Sequence, residues 1–320
     1  MVVPLRAAPA RARGVTRAAA AVGVFESILD TIGHTPLLRL RLAGLPAGVE
    51  VWGKCEWFNP GGSVKDRTAL SLITEGEKSG ALRAGKVIVD SSSGNTAVGL
   101  ALVGRARGYA VELFMPASVN AERQALCRAY GAEIVLTDPL LGSDGALEEV
   151  RRRVAAEPER YFYADQYRNP ANPLAHYRTT GPEVWEQTGG RITHFVAGLG
   201  TTGTIVGTAR FLHAQSPRVR VVAVEPDHEM HGLEGLKHLP SAIVPEVYDP
   251  SAHDAKVTAS TEAAYATCAE VLRDHGLLVG HSAGAALWAA REVARPLSAG
   301  VVVALLPDGG ERYLSAAERR

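Results

Sequence analysis

Short β-branched runs alternate with helix-like stretches of about ten to fifteen residues from residue 50 onward, and this rhythm constrains the fold more than any other feature. The runs are Val87–Asp90, Val111–Phe114, Glu133–Leu136, Phe195–Ala197, Val221–Val224 and Val301–Leu305. Between them, Thr68–Lys78, Thr96–Arg107, Ala121–Tyr130 and Thr204–His213 carry apolar residues at helical spacing. Strands that alternate with helices build βαβ units, so the expected fold class is α/β, with mostly parallel twisted sheets flanked by helices. A chain of 320 residues can fill two such lobes. The expected division is a tail over 1–22, an N-terminal lobe over 23–168 and a C-terminal lobe over 169–320. Gln166-Tyr-Arg-Asn-Pro-Ala-Asn172 breaks the periodicity at the boundary.

Charge and cysteine content remove several function classes. Lysine plus arginine and aspartate plus glutamate both number 34, so no net field favours nucleic acid or an acidic membrane. The three cysteines, Cys55, Cys127 and Cys268, are far apart and odd in number, which fits neither a disulfide framework nor a metal site. A reduced, cytoplasmic setting is expected. Cys268 shares a helical stripe with Ala264, Val271 and Leu272, which reads as core-facing. The tail MVVPLRAAPARARGVTRAAAAV has no acid, and arginines break its apolar stretches. It reads as a loose terminus, with a transit-like segment as the alternative, rather than a membrane span or secretory segment.

Glycine- and hydroxyl-rich turns follow the strand candidates. Gly198, Gly200 and Gly203 satisfy G-x-G-x-x-G after the run ending at Ala197, and Glu225 closes the next run. That spacing suits an NAD(P)-binding dehydrogenase. It equally suits a cup for a single phosphate at a helix N-terminus. Ser91–Thr96, Gly280–Gly284 and Pro307–Gly310 are similar turns, and in α/β folds such turns converge at the C-terminal ends of strands. Lys65 opens a helix-like run after Asn59-Pro-Gly-Gly-Ser-Val64. Helix N–H groups and burial there disfavour the ammonium form, leaving an amine able to form a Schiff base with an aldehyde cofactor. Taken locally, a solvated surface lysine is the competing reading.

The motifs taken together go further. Asn59-Pro-Gly-Gly-Ser-Val-Lys-Asp-Arg67, then Ser92-Ser-Gly-Asn-Thr96, Gly198-Leu-Gly-Thr-Thr-Gly-Thr204 and Ser282-Ala-Gly-Ala-Ala286, in that order, resembles the fold-type II pyridoxal-phosphate enzymes. Within them the chain is most similar to the cysteine synthase and cystathionine β-synthase family. The likeness runs from about Phe25 to Ser315 and includes Thr31–Leu37, Met115–Ser118 and Pro307–Leu314.

By this resemblance the fold is tryptophan synthase β-like and Lys65 carries pyridoxal 5′-phosphate. Gly200, Thr201, Thr202, Gly203 and Thr204 would hold its phosphate, Asn95 its 3′-oxygen and Ser282 its ring nitrogen. Ser92, Ser93, Asn95 and Thr96, with Gln166, would receive the substrate carboxylate. Ser92 stands where threonine is usual and Ala97 where glycine is common. Lys237, in the His228–His238 segment, sits where relatives that accept O-phosphoserine place a phosphate anchor; a solvated loop is the plainer reading.

The implied reaction is β-replacement on O-phospho-L-serine or O-acetyl-L-serine with a sulfur nucleophile, giving L-cysteine. Cystathionine or a diaminopropionate-type compound is the alternative product. The implied associations are a small amino-acid substrate, a homodimer and, as one possible sulfur source, a small sulfur-carrier protein.

Overall fold

The computed structural model describes residues 23–119 and 121–314, so the tail expected over 1–22 lies outside the described residues. Among the described residues, ten strands form two sheets. The larger has the order β1 (Leu37–Leu40), β2 (Val49–Cys55), β10 (Gly300–Leu306), β7 (His194–Gly198), β8 (Arg220–Pro226), β9 (Ala255–Ala259). The smaller has the order β5 (Glu133–Thr137), β4 (Ala110–Pro116), β3 (Val87–Ser91), β6 (Tyr161–Tyr163) and is parallel throughout. Only β1 runs antiparallel to its neighbour in the larger sheet.

The connecting helices are α1 (Lys65–Lys78), α2 (Asn95–Arg107), α3 (Ala121–Ala129), α4 (Gly142–Ala156), α5 (Ala171–Arg178), α6 (Thr180–Gln187), α7 (Gly203–Gln215), α8 (Thr261–His275) and α9 (His281–Ala294). The α/β class expected from the sequence is the one found. All six strand candidates form strands, each longer by one or two residues at an end. β10 explains why such runs were legible: Val301 to Leu306 are all buried, as a strand covered on both faces requires.

Four strands, β1, β2, β6 and β9, did not stand out in the sequence. β2 carries Gly53 and Lys54, β6 is three residues long, and β9 is a largely exposed edge. β2 alters the expected division of the chain. It pairs in parallel with β10 from Val49↔Gly300 to Cys55↔Leu306, so residues 37–55 belong to the sheet otherwise built from residues 194–306. The chain enters the smaller sheet at β3 and leaves it after β6. The lobes therefore do not split at 168/169 alone, because the N-terminal strands return to the larger sheet.

Helix α2 is buried continuously from Thr96 to Gly104, as expected for a helix between layers that is apolar on every side. It meets α1 where Gly99 lies against the Lys65 carbonyl; a Cβ there would press on that carbonyl and on Ala69. The α8 stripe needs one correction. Ala264 and Val271 are buried and Cys268 packs against the core, but Leu272 is 46% exposed. It follows Val271 by one position, about 100° around the helix and past the covered face.

Candidate active site

The C-terminal ends of β3, β7 and β10 open on one side, where their turns line a cavity of about 640 Å³. Lys65, Ser92, Ser93, Asn95, Thr96, Gln166, Gly200, Thr201, Thr202, Thr204, Lys237 and Ser282 all border it. Gly203 is the one residue of the sequence-selected set that does not, because it faces α5 instead.

Lys65 is the first residue of α1, and its backbone N–H donates to Ser63 Oγ at 3.2 Å. The preceding loop is fixed by Asp66, whose carboxylate accepts the Gly61 N–H at 2.6 Å. Burial holds the Lys65 amine below the ordinary lysine pKa, against the opposing pull of the Asp308 and Glu56 carboxylates. An amine so placed is available as a neutral nucleophile or base.

The loop between β3 and α2 is braced at both ends. Ser92 Oγ accepts the N–H groups of Gly94 and Ala97 at 3.3 and 3.2 Å, while Thr96 Oγ1 donates to Gln166 Oε1 at 2.6 Å. Ala97 itself is fully buried, so its methyl is absorbed into the core between α1 and β4 rather than left in the cavity. Asn95 is held from the other sheet: its Nδ2 donates to Asp308 Oδ2 at 2.6 Å, and its Oδ1 accepts from Arg312 Nη1 at 2.9 Å. Tyr313 donates to the same Asp308 oxygen at 2.6 Å, and burial raises the Asp308 pKa.

The turn after β7 reaches α7 through Thr202, which adopts φ +67°, a left-handed conformation rare for a β-branched residue. Its Oγ1 is buried without a partner among the described residues. Strain and an orphaned hydroxyl at a helix N-terminus are features of a ligand cup. Helix α5 supports the cup from below. Asn172 Nδ2 donates to Thr201 Oγ1 at 3.2 Å, and His176, one turn on, places Nε2 3.3 Å from both Thr204 Oγ1 and Thr68 Oγ1. Burial, with Arg67 and Lys65 nearby, holds His176 well below the usual histidine pKa, so it acts as a neutral hydrogen-bonding group. Asn172 and His176 escaped the sequence reading, although their i, i+4 spacing on a helix next to Gln166 was a usable signal.

A Cβ at Gly203 would overlap the Asn172 amide. Gly203→Ala is therefore expected to push Asn172 off Thr201 and weaken anion binding in the cup by about tenfold or more. Titrating the variant with pyridoxal phosphate, the ligand that the sequence resemblance implies, measures this directly, and wild-type affinity would show that Asn172 does not support the cup.

Glu225 is not available to a ribose. Its carboxylate accepts the Leu239 N–H at 2.8 Å and pairs with Lys256 at 2.6 Å. Ser282 is not the cap of α9, because Gly280 holds that position; its buried side chain lies in the first turn and borders the cavity. Lys237 sits with Nζ 5.1 Å from the centre of the Tyr167 ring, and desolvation lowers its pKa. It is half-buried rather than freely solvated, and the Asp144 carboxylate opposes the desolvation.

A lysine, a strained hydroxyl-lined turn and a braced polar loop around one cavity define a cofactor-dependent enzyme of the α/β class. Residues 28–308 match the family described as "Pyridoxal-phosphate dependent enzyme", and the chain belongs to it. Among individual proteins it is 50% identical over 299 residues to the cysteine synthase of Aquifex aeolicus (strain VF5), covering 91% of each chain. It is 44% identical over 290 residues to cysteine synthase B of Escherichia coli (strain K12), covering 91% of this chain and 95% of the relative. The crystal structure of O-acetyl serine sulfhydrylase isoform 3 from Entamoeba histolytica superposes with a TM-score of 0.89 at 34% identity, covering 94% of this chain and 93% of that one.

Proposed function

We propose that this chain is a pyridoxal-phosphate-dependent cysteine synthase that joins O-acetyl-L-serine and sulfide to give L-cysteine and acetate. The observation that carries the reading is the convergence of Lys65, the Gly200–Thr204 turn and the Ser92–Thr96 loop on a single cavity. The similarity to two cysteine synthases and to an O-acetyl serine sulfhydrylase supports the same substrates.

The residues present fit the cofactor. In this reading Lys65 would hold its aldehyde carbon, and Thr201, Thr202 and Thr204 with the first N–H groups of α7 would hold its phosphate. The orphaned Thr202 hydroxyl is the observation that favours an anion in that cup. Ser282, which borders the cavity, would be a neutral partner for its ring nitrogen. When bound, the cofactor supplies the electron sink that labilises the substrate Cα–H bond and allows the β-acetoxy group to leave.

The chain's own residues do the rest. The N–H groups and hydroxyls of Ser92–Thr96, with the Gln166 amide beside Thr96, orient the amino acid by its carboxylate. The Lys65 amine removes the Cα proton and returns one to the same carbon after sulfide has added to Cβ. Its lowered pKa favours the neutral form that the first of these tasks needs. Asp308 and Arg312 hold the Asn95 amide in place. Lys237 borders the same cavity.

A homodimer, free sulfide rather than a sulfur-carrier protein, and a cytoplasmic setting complete the reading. The last is supported by three free cysteines, and no described helix is long and apolar enough to cross a membrane. Supplying the loaded protein with sulfide and either O-acetyl-L-serine or O-phospho-L-serine tests the proposal. Cysteine is expected from the acetyl ester with the higher kcat/KM; no cysteine from either ester would overturn the reading.

A further inference from the structure

An ion pair crosses the cavity from one sheet's elements to the other's. Arg123, on α3, directs Nη2 to Glu234 Oε2 at 2.9 Å and Nη1 to the Ser93 carbonyl at 3.2 Å. Glu234 lies in the segment after β8, three residues before Lys237, whose backbone N–H donates to Leu199 O at 2.7 Å beside Gly200. A continuous path therefore runs from the Ser92–Thr96 loop through one guanidinium to the turn that cups the phosphate. Within that loop Ser92 is fixed by its own neighbours and Thr96 by Gln166. Ser93, between them, is held from α3.

We propose that Arg123 and Glu234 are positioning residues: together they tether the Ser93 carbonyl across the cleft and set the loop for the substrate carboxylate. The inference rests on the cysteine synthase reading for its substrate, but the tether itself is a property of the unliganded chain. A guanidinium is rigid and planar, so a carboxylate on one Nη fixes where the other Nη points. Glu234 is half exposed and Arg123 is 15% exposed. A pair of that kind adds little to global stability, so its loss is expected to appear locally, in the loop.

Glu234→Ala is expected to raise the KM for O-acetyl-L-serine about three- to tenfold, with kcat falling less than kcat/KM. In the unliganded protein the same substitution should accelerate amide hydrogen exchange in residues 92–97 while leaving α7 protected. Adding Glu234→Ala to Arg123→Ala should then produce no further loss, because the tether is already broken. Unchanged exchange at 92–97 in Glu234→Ala would overturn the proposal. So would losses in kcat/KM that simply multiply in the double variant. A wild-type protein that made no cysteine would count against the functional reading alone, since the exchange measurement needs no turnover.

Discussion

Lys65→Ala is expected to turn over O-acetyl-L-serine and sulfide roughly a thousandfold or more slowly than the wild type, because in the proposed mechanism one amine serves as anchor, base and acid. The geometry offers no substitute. Lys54 is fully buried and committed to Glu183 Oε2 at 2.6 Å, Gln187 Oε1 at 2.9 Å and the Thr35 carbonyl at 2.7 Å. Lys237 is drawn over the Tyr167 ring on another part of the wall. Borohydride treatment of the loaded wild type should fix the cofactor to the peptide carrying Lys65, and the variant should yield no labelled lysine peptide. The Thr201–Thr204 cup remains intact in the variant, so non-covalent retention of the cofactor is expected. Undiminished turnover, or a label on any other lysine, would sink the assignment.

What could be read in the sequence followed from distance along the chain. Lys65, the 92–96 loop and the 200–204 turn each sit at a junction whose chemistry is local: a strand ends, small polar residues follow, and a helix begins. Their convergence followed from the rule that such turns gather at one end of parallel strands. The supports of those residues were not legible, because they arrive from far away. Asn95 is held by Asp308 and Arg312, and Ser93 by Arg123, which also pairs with Glu234. Nothing in a stretch such as Ala121–Ala129 marks one arginine as facing a cavity.

Charged residues misled in the same way. Glu50 and Lys54 interrupt the apolar run of β2 and hid that strand, yet Lys54 is wholly buried because Glu183, 129 residues later, comes to meet it. With the strand went the division of the chain. Once β2 lies beside β10, two lobes taken as consecutive halves no longer describe the sheets.

The same buried cluster yields the largest stability effect. Arg67, two residues after Lys65, makes a fork to each of two carboxylates: Glu56 at 2.7 and 2.9 Å, and Glu183 at 2.6 and 2.8 Å. With Lys54, two cations face two carboxylates, and together they lock α1 to β2 and α6 beneath the active site. Removing one member leaves a buried charge unmatched, so Glu56→Ala is expected to cost about 3–5 kcal/mol in denaturant unfolding.

Glu183 adds a pH signature. Burial alone would raise its pKa, but hydrogen bonds and charge from Arg67 and Lys54 outweigh that and hold it at about 2. A carboxylate depressed in the fold contributes its stability above its unfolded pKa of about 4.3 and loses it as pH falls toward the folded value. The contribution at neutral pH is about 3 kcal/mol by that linkage. The stability gap between wild type and Glu183→Gln should thus be widest above pH 5 and shrink steadily between about pH 4 and 2. Unfolding curves for both proteins across that range decide it. A gap that stays constant with pH would mean that Glu183 contributes by shape and hydrogen bonding, and that its charge does not hold Arg67 in place.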